Sequence, residues 1–210
     1  MDKIICFGKN YQDHMLELGD KPVTEPVIFL KPPSILRQCQ NWGDAINVLL
    51  TEHETHYECE LVIKMCEGGY KMTYDAAKLA IGAYTVGLDM TLRKVQAGLK
   101  EKGHPWTIAK VFPDACIIGP WIDGMNNNVG DMPFMDTIFQ FTLDGKLKQK
   151  SCGGNMMFNP IELIVYASKF FPLCTGDVLF TGTPKGVGAV KEKSVGVLAI
   201  DTHEYSVKWG

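Results

Sequence analysis

From His56 to Met65 the chain alternates with a period of two. Tyr57, Cys59, Leu61, Ile63 and Met65 fall on one side; His56, Glu58, Glu60, Val62 and Lys64 fall on the other. A strand puts residues i and i+2 on the same face, so this segment commits the chain to a sheet. It also aims the Glu58 and Glu60 carboxylates the same way. Two like charges that close repel each other unless something positive sits between them. A divalent metal would serve, with further oxygen ligands drawn from elsewhere in the chain. The spacing alone fits a solvated face of an edge strand about equally well.

The remaining pattern contains more strands than helices. Strand signals run over 3–7, 27–30 (stopped by Pro32-Pro33), 46–50, 83–88 and 178–181, with two more near 195–200 and 205–209. The 46–50 and 56–65 segments could pair. Asp144-Gly145 between two alternating runs is a hairpin signal. The helices are short. One carries His14 and Glu17, and a second starts at a Thr73 cap. A third starts at a Thr91 cap and stops at Gly103, with Leu92, Val95 and Leu99 on one face. A fourth opens with Asn159-Pro160-Ile161-Glu162 and runs to about Phe171. Helices this irregularly placed exclude a doubly wound or (β/α)8 pattern and predict a β-rich mixed α+β fold.

At 210 residues, with 46% apolar and 21% charged residues, the chain suits one globular domain spanning 1–210. A net charge of −3 without a basic cluster argues against nucleic-acid binding. Seven cysteines, an odd number with no C-x-x-C pair, suggest neither a disulfide framework nor a thiolate zinc site, and point to a cytoplasmic compartment. The first residues read as a strand rather than a signal peptide. No apolar run approaches the ~20 residues that span a bilayer, so no membrane partner is expected.

Asp89, at the end of the 83–88 strand, is the candidate third metal ligand; a helix-capping role is the plainer alternative. Glu58, Glu60 and Asp89 form a hard, all-oxygen set that favours Mg²⁺ or Mn²⁺. His53, His56 and Glu58 suggest zinc, but positions 53 and 56 face opposite sides of a strand. His14 and Glu17 share a helix face, where a carboxylate can orient an imidazole as a general base; a surface ion pair has the same spacing. Lys110, in the apolar Trp106-Thr107-Ile108-Ala109 context, is either a buried counter-charge or a snorkelling surface residue. The Gly182–Gly188 loop lacks nucleotide-loop spacing, but its amides, with the Thr183 hydroxyl, can bind a carboxylate.

Six segments in order resemble the fumarylacetoacetate hydrolase family, most closely its short acylpyruvase and oxaloacetate decarboxylase branch. They are Gly8-Lys9-Asn10-Tyr11-x-x-His14-x-x-Glu17, Phe29-Leu30-Lys31-Pro32, Glu58-Cys59-Glu60-Leu61, Leu88-Asp89-Met90-Thr91-x-Arg93-x-x-Gln96, Pro105-Trp106-Thr107-x-Ala109-Lys110, and Thr181-Gly182-Thr183-Pro184-x-Gly186-Val187-Gly188. The resemblance implies a fumarylacetoacetase C-terminal-domain-like β-roll with short peripheral helices, and a homodimer. It implies Mg²⁺ or Mn²⁺ on Glu58, Glu60 and Asp89, and catalytic roles for His14, Glu17 and Lys110 with His14 and Glu17 on a mobile lid over residues 8–20. Lys9, Arg93, Gln96 and Thr183 become substrate contacts. The implied substrate is a small 2-oxo acid, and the implied reaction is hydrolysis of a C–C bond in an acylpyruvate through a pyruvate enolate. Oxaloacetate decarboxylation, or isomerisation or hydration of unsaturated 2-oxo diacids, would use the same site. Lys9 stands where the family usually has arginine, which keeps the charge and loses the bidentate fork. Cys152-Gly153-Gly154-Asn155 and the short stretch after Gly188 also depart from the pattern.

Overall fold

The computed structural model describes residues 1–19, 23–124 and 133–210. The alternating segment supplies Cys59–Met65, the middle of an eight-stranded sheet. Across it lie Val27–Lys31, Ile4–Gly8, Val178–Phe180, Cys59–Met65, Ile81–Asp89, Cys116–Ile118 and Leu36–Gln38, with Ile122–Asp123 also bonded to Ile81–Asp89. Two pairings in this sheet are parallel, Ile4–Gly8 with Val178–Phe180 and Leu36–Gln38 with Cys116–Ile118. A second sheet orders Lys146–Cys152, Ile138–Leu143, Val195–Ile200, His203–Trp209 and Ala45–Val48. A third joins Gly188–Ala189, Thr55–Tyr57 and Thr91–Leu92. The longest described helices, Arg93–Glu101 and Pro160–Ser168, have nine residues each. This is the β-rich mixed fold that the strand count implied.

Side-chain parity along Cys59–Met65 divides the interior in two. Cys59, Leu61, Ile63 and Met65 enter the main core with Phe139, Phe141 and Leu198 of the second sheet. Val62 points the other way, into a cluster with Ile4, Cys6, Cys116, Ile118, Val178 and Phe180. Phe29 from Val27–Lys31 at one edge and Leu36 from Leu36–Gln38 at the other pack on that same cluster, so the sheet curls around it as a half-barrel. Each aliphatic side chain buried this way contributes roughly 1.5–3 kcal/mol. Glu60 shares the parity of Val62, and this places a carboxylate on the curled side.

Three local expectations change. The 56–65 strand breaks at Glu58: Thr55–Tyr57 pairs with Thr91–Leu92 and Gly188–Ala189 in the third sheet. The 46–50 segment forms Ala45–Val48 and lies parallel to His203–Trp209, so it does not pair with 56–65. Thr91 is not a helix cap; Leu92 takes that position without a side-chain bond, and the Thr91 hydroxyl serves Lys110. The Thr73 cap and the Asn159–Glu162 capping box form as the sequence implies, although that last helix stops at Ser168. Among the described residues no helix is long and apolar enough to cross a membrane.

Asp177 ties the first strand down. Its carboxylate accepts from the backbone N–H groups of Asp2, Lys3 and Cys174 and lies 2.8 Å from Lys3 Nζ. Burial raises its pKa, but the Lys3 bond and the backbone bonds outweigh this and hold it below the usual range. A carboxyl lowered in the folded state adds stability above its unfolded value, near pH 4, and loses it as pH falls through the folded one. Asp177→Asn is therefore expected to lower Tm at neutral pH, and the deficit should shrink below about pH 4. A pH-independent deficit in thermal melts would remove the charge from this account.

Candidate metal centre and catalytic cavity

Register brings the three acidic residues together. Glu60 stands opposite Gly87, and Asp89 lies two residues on along the same strand, hence on the same face. The Asp89 N–H donates to Glu58 O at 2.9 Å, locking the strand end to the break at Glu58. One ligand atom from each of Glu58, Glu60 and Asp89 falls within 4.8 Å of the others. All three residues are buried, at 5%, 2% and 1% exposure, which removes the solvated-face reading of the glutamate pair. This trio is the one such acidic or metal-ligating group among the described residues, so the zinc reading gains nothing. His53 and His56 instead contact Glu52 and Glu54.

Cations surround the trio unevenly. Lys110 Nζ donates to Glu58 Oε2, Asp89 Oδ2 and Thr91 Oγ1, each at 2.7 Å, and lies 4.8 Å from the Phe29 ring centre. Arg93 Nη2 pairs with Glu58 Oε1, and Arg93 Nη1 donates to Gln96 Oε1 at 2.8 Å. Lys31, 1% exposed, donates to Met90 O and Ala115 O, and its Nζ sits 2.6 Å from Asp89 Oδ1 in an ion pair without hydrogen-bond geometry. Among the described residues no cation contacts Glu60, whose Oε2 accepts the Gly182 N–H at 2.6 Å.

These contacts set the acidities. Burial raises the Glu58 carboxyl, but the Lys110 and Arg93 charges outweigh this and hold it well below the usual range. Burial pushes Glu60 well above that range, and the Asp89 and Glu58 charges add to the shift. Burial lowers Lys110, but Asp89 and Glu58 more than compensate and keep it above its ordinary value, a fixed cation. The Lys110 charge offsets the upward shift of Glu60 only in part, no cation contacts Glu60 among the described residues, and the donors around it are hard oxygens. The residues fit a divalent cation held by Glu58, Glu60 and Asp89.

A cavity of about 40 Å³ opens above the trio. Lys9, His14, Arg93, Gln96, Lys110 and Thr183 line it together with the three carboxylates. Lys9 holds a left-handed backbone, φ 61°, an uncommon conformation for a residue with a Cβ and one that recurs at functional sites. Glu17 stands behind His14: His14 Nδ1 lies 3.1 Å from Glu17 Oε2. With Nδ1 donating to that carboxylate, Nε2 is left as the acceptor nitrogen. The segment expected as a lid, 8–20, is described up to Gly19, and Asp20 lies outside the described residues. Its first part is fastened. Asn10 donates to Phe158 O and Thr181 O and accepts from Phe158 N, and the Tyr11 hydroxyl donates to Cys152 O. Asn10 and Tyr11 of the Gly8–Tyr11 motif are therefore anchors.

The 182–188 loop binds carboxylates through its amides, as its composition suggested, but they are the protein's own: Gly182 N–H to Glu60 and Gly186 N–H to Glu17. The Thr183 hydroxyl is engaged as well, donating to Cys59 O at 2.9 Å and accepting from Gln149 Nε2 at 2.8 Å. Sequence reasoning missed Lys31, Gln149 and Lys100. Lys31 was visible only as part of a motif and follows an exposed Leu30, so hydropathy gave no sign of its burial. Lys100 also lines the cavity, seven residues beyond Arg93 on the same helix, a spacing that could have flagged it. Gln149 had no local signal at all.

Residues 3–210 match the family described as Fumarylacetoacetate (FAA) hydrolase C-terminal, and the chain belongs to that family. It is 32% identical over 208 residues to Oxaloacetate tautomerase YcgM of Escherichia coli (strain K12), covering 99% of this chain and 92% of that protein. Oxaloacetate decarboxylase, mitochondrial, of Dictyostelium discoideum is 36% identical over 203 residues, covering 95% and 90% respectively. Among solved structures, fumarylpyruvate hydrolase from Pseudomonas aeruginosa in complex with Mn²⁺ and pyruvate superimposes with a TM-score of 0.91 at 34% identity, covering 100% of this chain and 89% of that one.

Proposed function

We propose that this protein is a divalent-metal-dependent enzyme acting on a small 2-oxo dicarboxylate, and that it catalyses the enol–keto interconversion of oxaloacetate. The observation that carries this reading is the cavity itself: three buried carboxylates form its floor, and Lys9, Arg93, Lys100 and Lys110 are among its other lining groups. The names of the similar proteins from Escherichia coli and Dictyostelium support oxaloacetate as the substrate.

A cation held by Glu58, Glu60 and Asp89 supplies a Lewis acid that favours the enolate of a 2-oxo acid. The chain's own groups do the rest. Arg93 keeps a buried Nε–H without a partner among the described residues, a donor for a substrate carboxylate. Lys110 contributes fixed positive charge where the enolate oxygen gains negative charge. His14 Nε2 moves the proton at C3 of oxaloacetate, with Glu17 holding the ring and its tautomer. Phe7, Phe29 and Trp106 line the same space and limit water.

Acylpyruvate hydrolysis, the activity placed first on sequence grounds, is the second reading. The His14–Glu17 pair favours it, because the same imidazole can activate a water, and so does the similarity to fumarylpyruvate hydrolase. One assay series separates the two: oxaloacetate enol decay and acetylpyruvate or fumarylpyruvate cleavage, with Mg²⁺ or Mn²⁺ and with chelator. Cation-dependent cleavage without accelerated tautomerisation would overturn the first reading. His14→Ala is expected to reduce either activity by about 10²–10⁴-fold. Its Mn²⁺ affinity, read by calorimetry, should stay near wild type. Full activity in that variant would remove His14 from the mechanism.

A further inference from the structure

We infer that Gln149, delivered by the second sheet, is a positioning residue of this site: its one amide sets the 182–188 loop over the Glu58–Glu60 strand. Gln149 is 1% exposed. Its Oε1 accepts from Cys59 N at 2.9 Å, and its Nε2 donates to Thr183 Oγ1 at 2.8 Å and Pro184 O at 2.7 Å. The Thr183 hydroxyl then donates to Cys59 O at 2.9 Å, closing a ring of Gln149, Thr183 and Cys59. Cys59 is the residue between the two glutamates. Gln149 therefore grips the carboxylate-bearing strand and the loop with the same planar group.

The loop passes this constraint on in two directions. Gly182 N–H holds Glu60 Oε2, and Gly186 N–H reaches both Glu17 oxygens, at 3.0 and 3.2 Å. One end orients a cation ligand and the other orients the carboxylate that holds His14. The hairpin is shaped for the task. Its register shifts so that Phe141 faces Gln149 and Thr142 faces Leu147, leaving Lys148 as a bulge. Gly186, at φ 100°, packs on that bulge: a Cβ there would lie 2.1 Å from Lys148 O. Hydrogen bonds one step beyond the ligands fix ligand orientation, and their loss typically costs 10–100-fold in metal affinity or activity. Gln149 reaches both halves of the site through one such step.

The test compares Gln149→Leu and Gln149→Glu with Val207→Ala, a core truncation elsewhere in the same sheet that serves as a stability control. Two readouts are taken: hydrogen exchange at the Gly182 and Gly186 amides without metal, and Mn²⁺ affinity by calorimetry. Gln149→Leu is expected to speed exchange at both amides and weaken Mn²⁺ binding at least about tenfold. Gln149→Glu keeps the acceptor for Cys59 N and loses the donations to Thr183 Oγ1 and Pro184 O, so it should fall in between. Val207→Ala should alter Tm and neither readout. Unchanged amide exchange in a folded Gln149→Leu or Gln149→Glu protein overturns the inference, as does failure of both to fold, which would make Gln149 a folding residue only. The affinity arm rests on the proposed cation site and the exchange arm does not. Wild-type protein that ignores Mn²⁺ would refute the proposed function while exchange still decides the role of Gln149.

Discussion

Asp89→Ala is expected to remove cation binding and also to destabilise the metal-free protein by about 3–5 kcal/mol. The second effect follows from charge, because Asp89 is the shared anion of Lys31 and Lys110, which are 1% and 2% exposed. Without it, Lys31 keeps two carbonyl oxygens, Met90 O and Ala115 O, but no counter-ion among the described residues. Lys110 keeps Glu58 as a counter-charge and the Thr91 hydroxyl as an acceptor. Removing one partner of a buried pair leaves the other charge desolvated and uncompensated, and that is the expensive case. For a chain of this length the shift should be roughly 6–20 °C in Tm. Urea unfolding with chelator present measures it directly. A loss below about 1 kcal/mol would mean that Lys31 and Lys110 are hydrated or held otherwise than described.

Glu60→Gln should behave in the opposite way. We expect cation-dependent turnover to fall by roughly a thousandfold, since the Lewis acid supplies several kcal/mol at the transition state. Metal-free stability should hold or rise. Among the described residues no cation contacts Glu60, burial and its two acidic neighbours oppose its charge more than Lys110 favours it, and a glutamine oxygen can still accept the Gly182 N–H. Two residues offered as ligands of one ion thus diverge in what they do for the fold. Parallel melts and activity assays with Mg²⁺, Mn²⁺ and EDTA test this. Metal-free Glu60→Gln that is clearly less stable than wild type would overturn the electrostatic account, and activity surviving both the substitution and EDTA would overturn the cation mechanism.

Much of the site could be read locally, because local spacing determines which side chains share a face. The i, i+2 spacing of Glu58 and Glu60 and the i, i+3 spacing of His14 and Glu17 are such cases, and both pairs come together as the spacing requires. The hairpin at Asp144-Gly145 and the Asn159 capping box are also short-range devices, and both form. The failures have the opposite character. Thr91 looked like a cap because it precedes a helix; its hydroxyl is claimed by Lys110, a partner nineteen residues away. The 46–50 strand could pair with 56–65, its neighbour in sequence, yet hydrogen bonding with His203–Trp209 prevails. The break at Glu58 is invisible to alternation, since one extended segment can serve two sheets without changing its pattern.

Lys31 and Gln149 mark the limit most clearly. A lysine after an exposed leucine and a glutamine in a charged hairpin strand both read as surface residues, because side-chain polarity reports the cost of burial and not the partners that offset it. Those partners lie at Asp89, Met90 and Ala115 for Lys31, and at Cys59, Thr183 and Pro184 for Gln149. Periodicity alone pointed to a β-rich chain with two carboxylates spaced to face the same way, because alternation is a property of the backbone. Whether those carboxylates lie on a solvated face or are buried together depends on the curl of the sheet, the register that brings Asp89 beside them, and the loop held over Glu60. These are long-range contacts, and only the tertiary structure decided them.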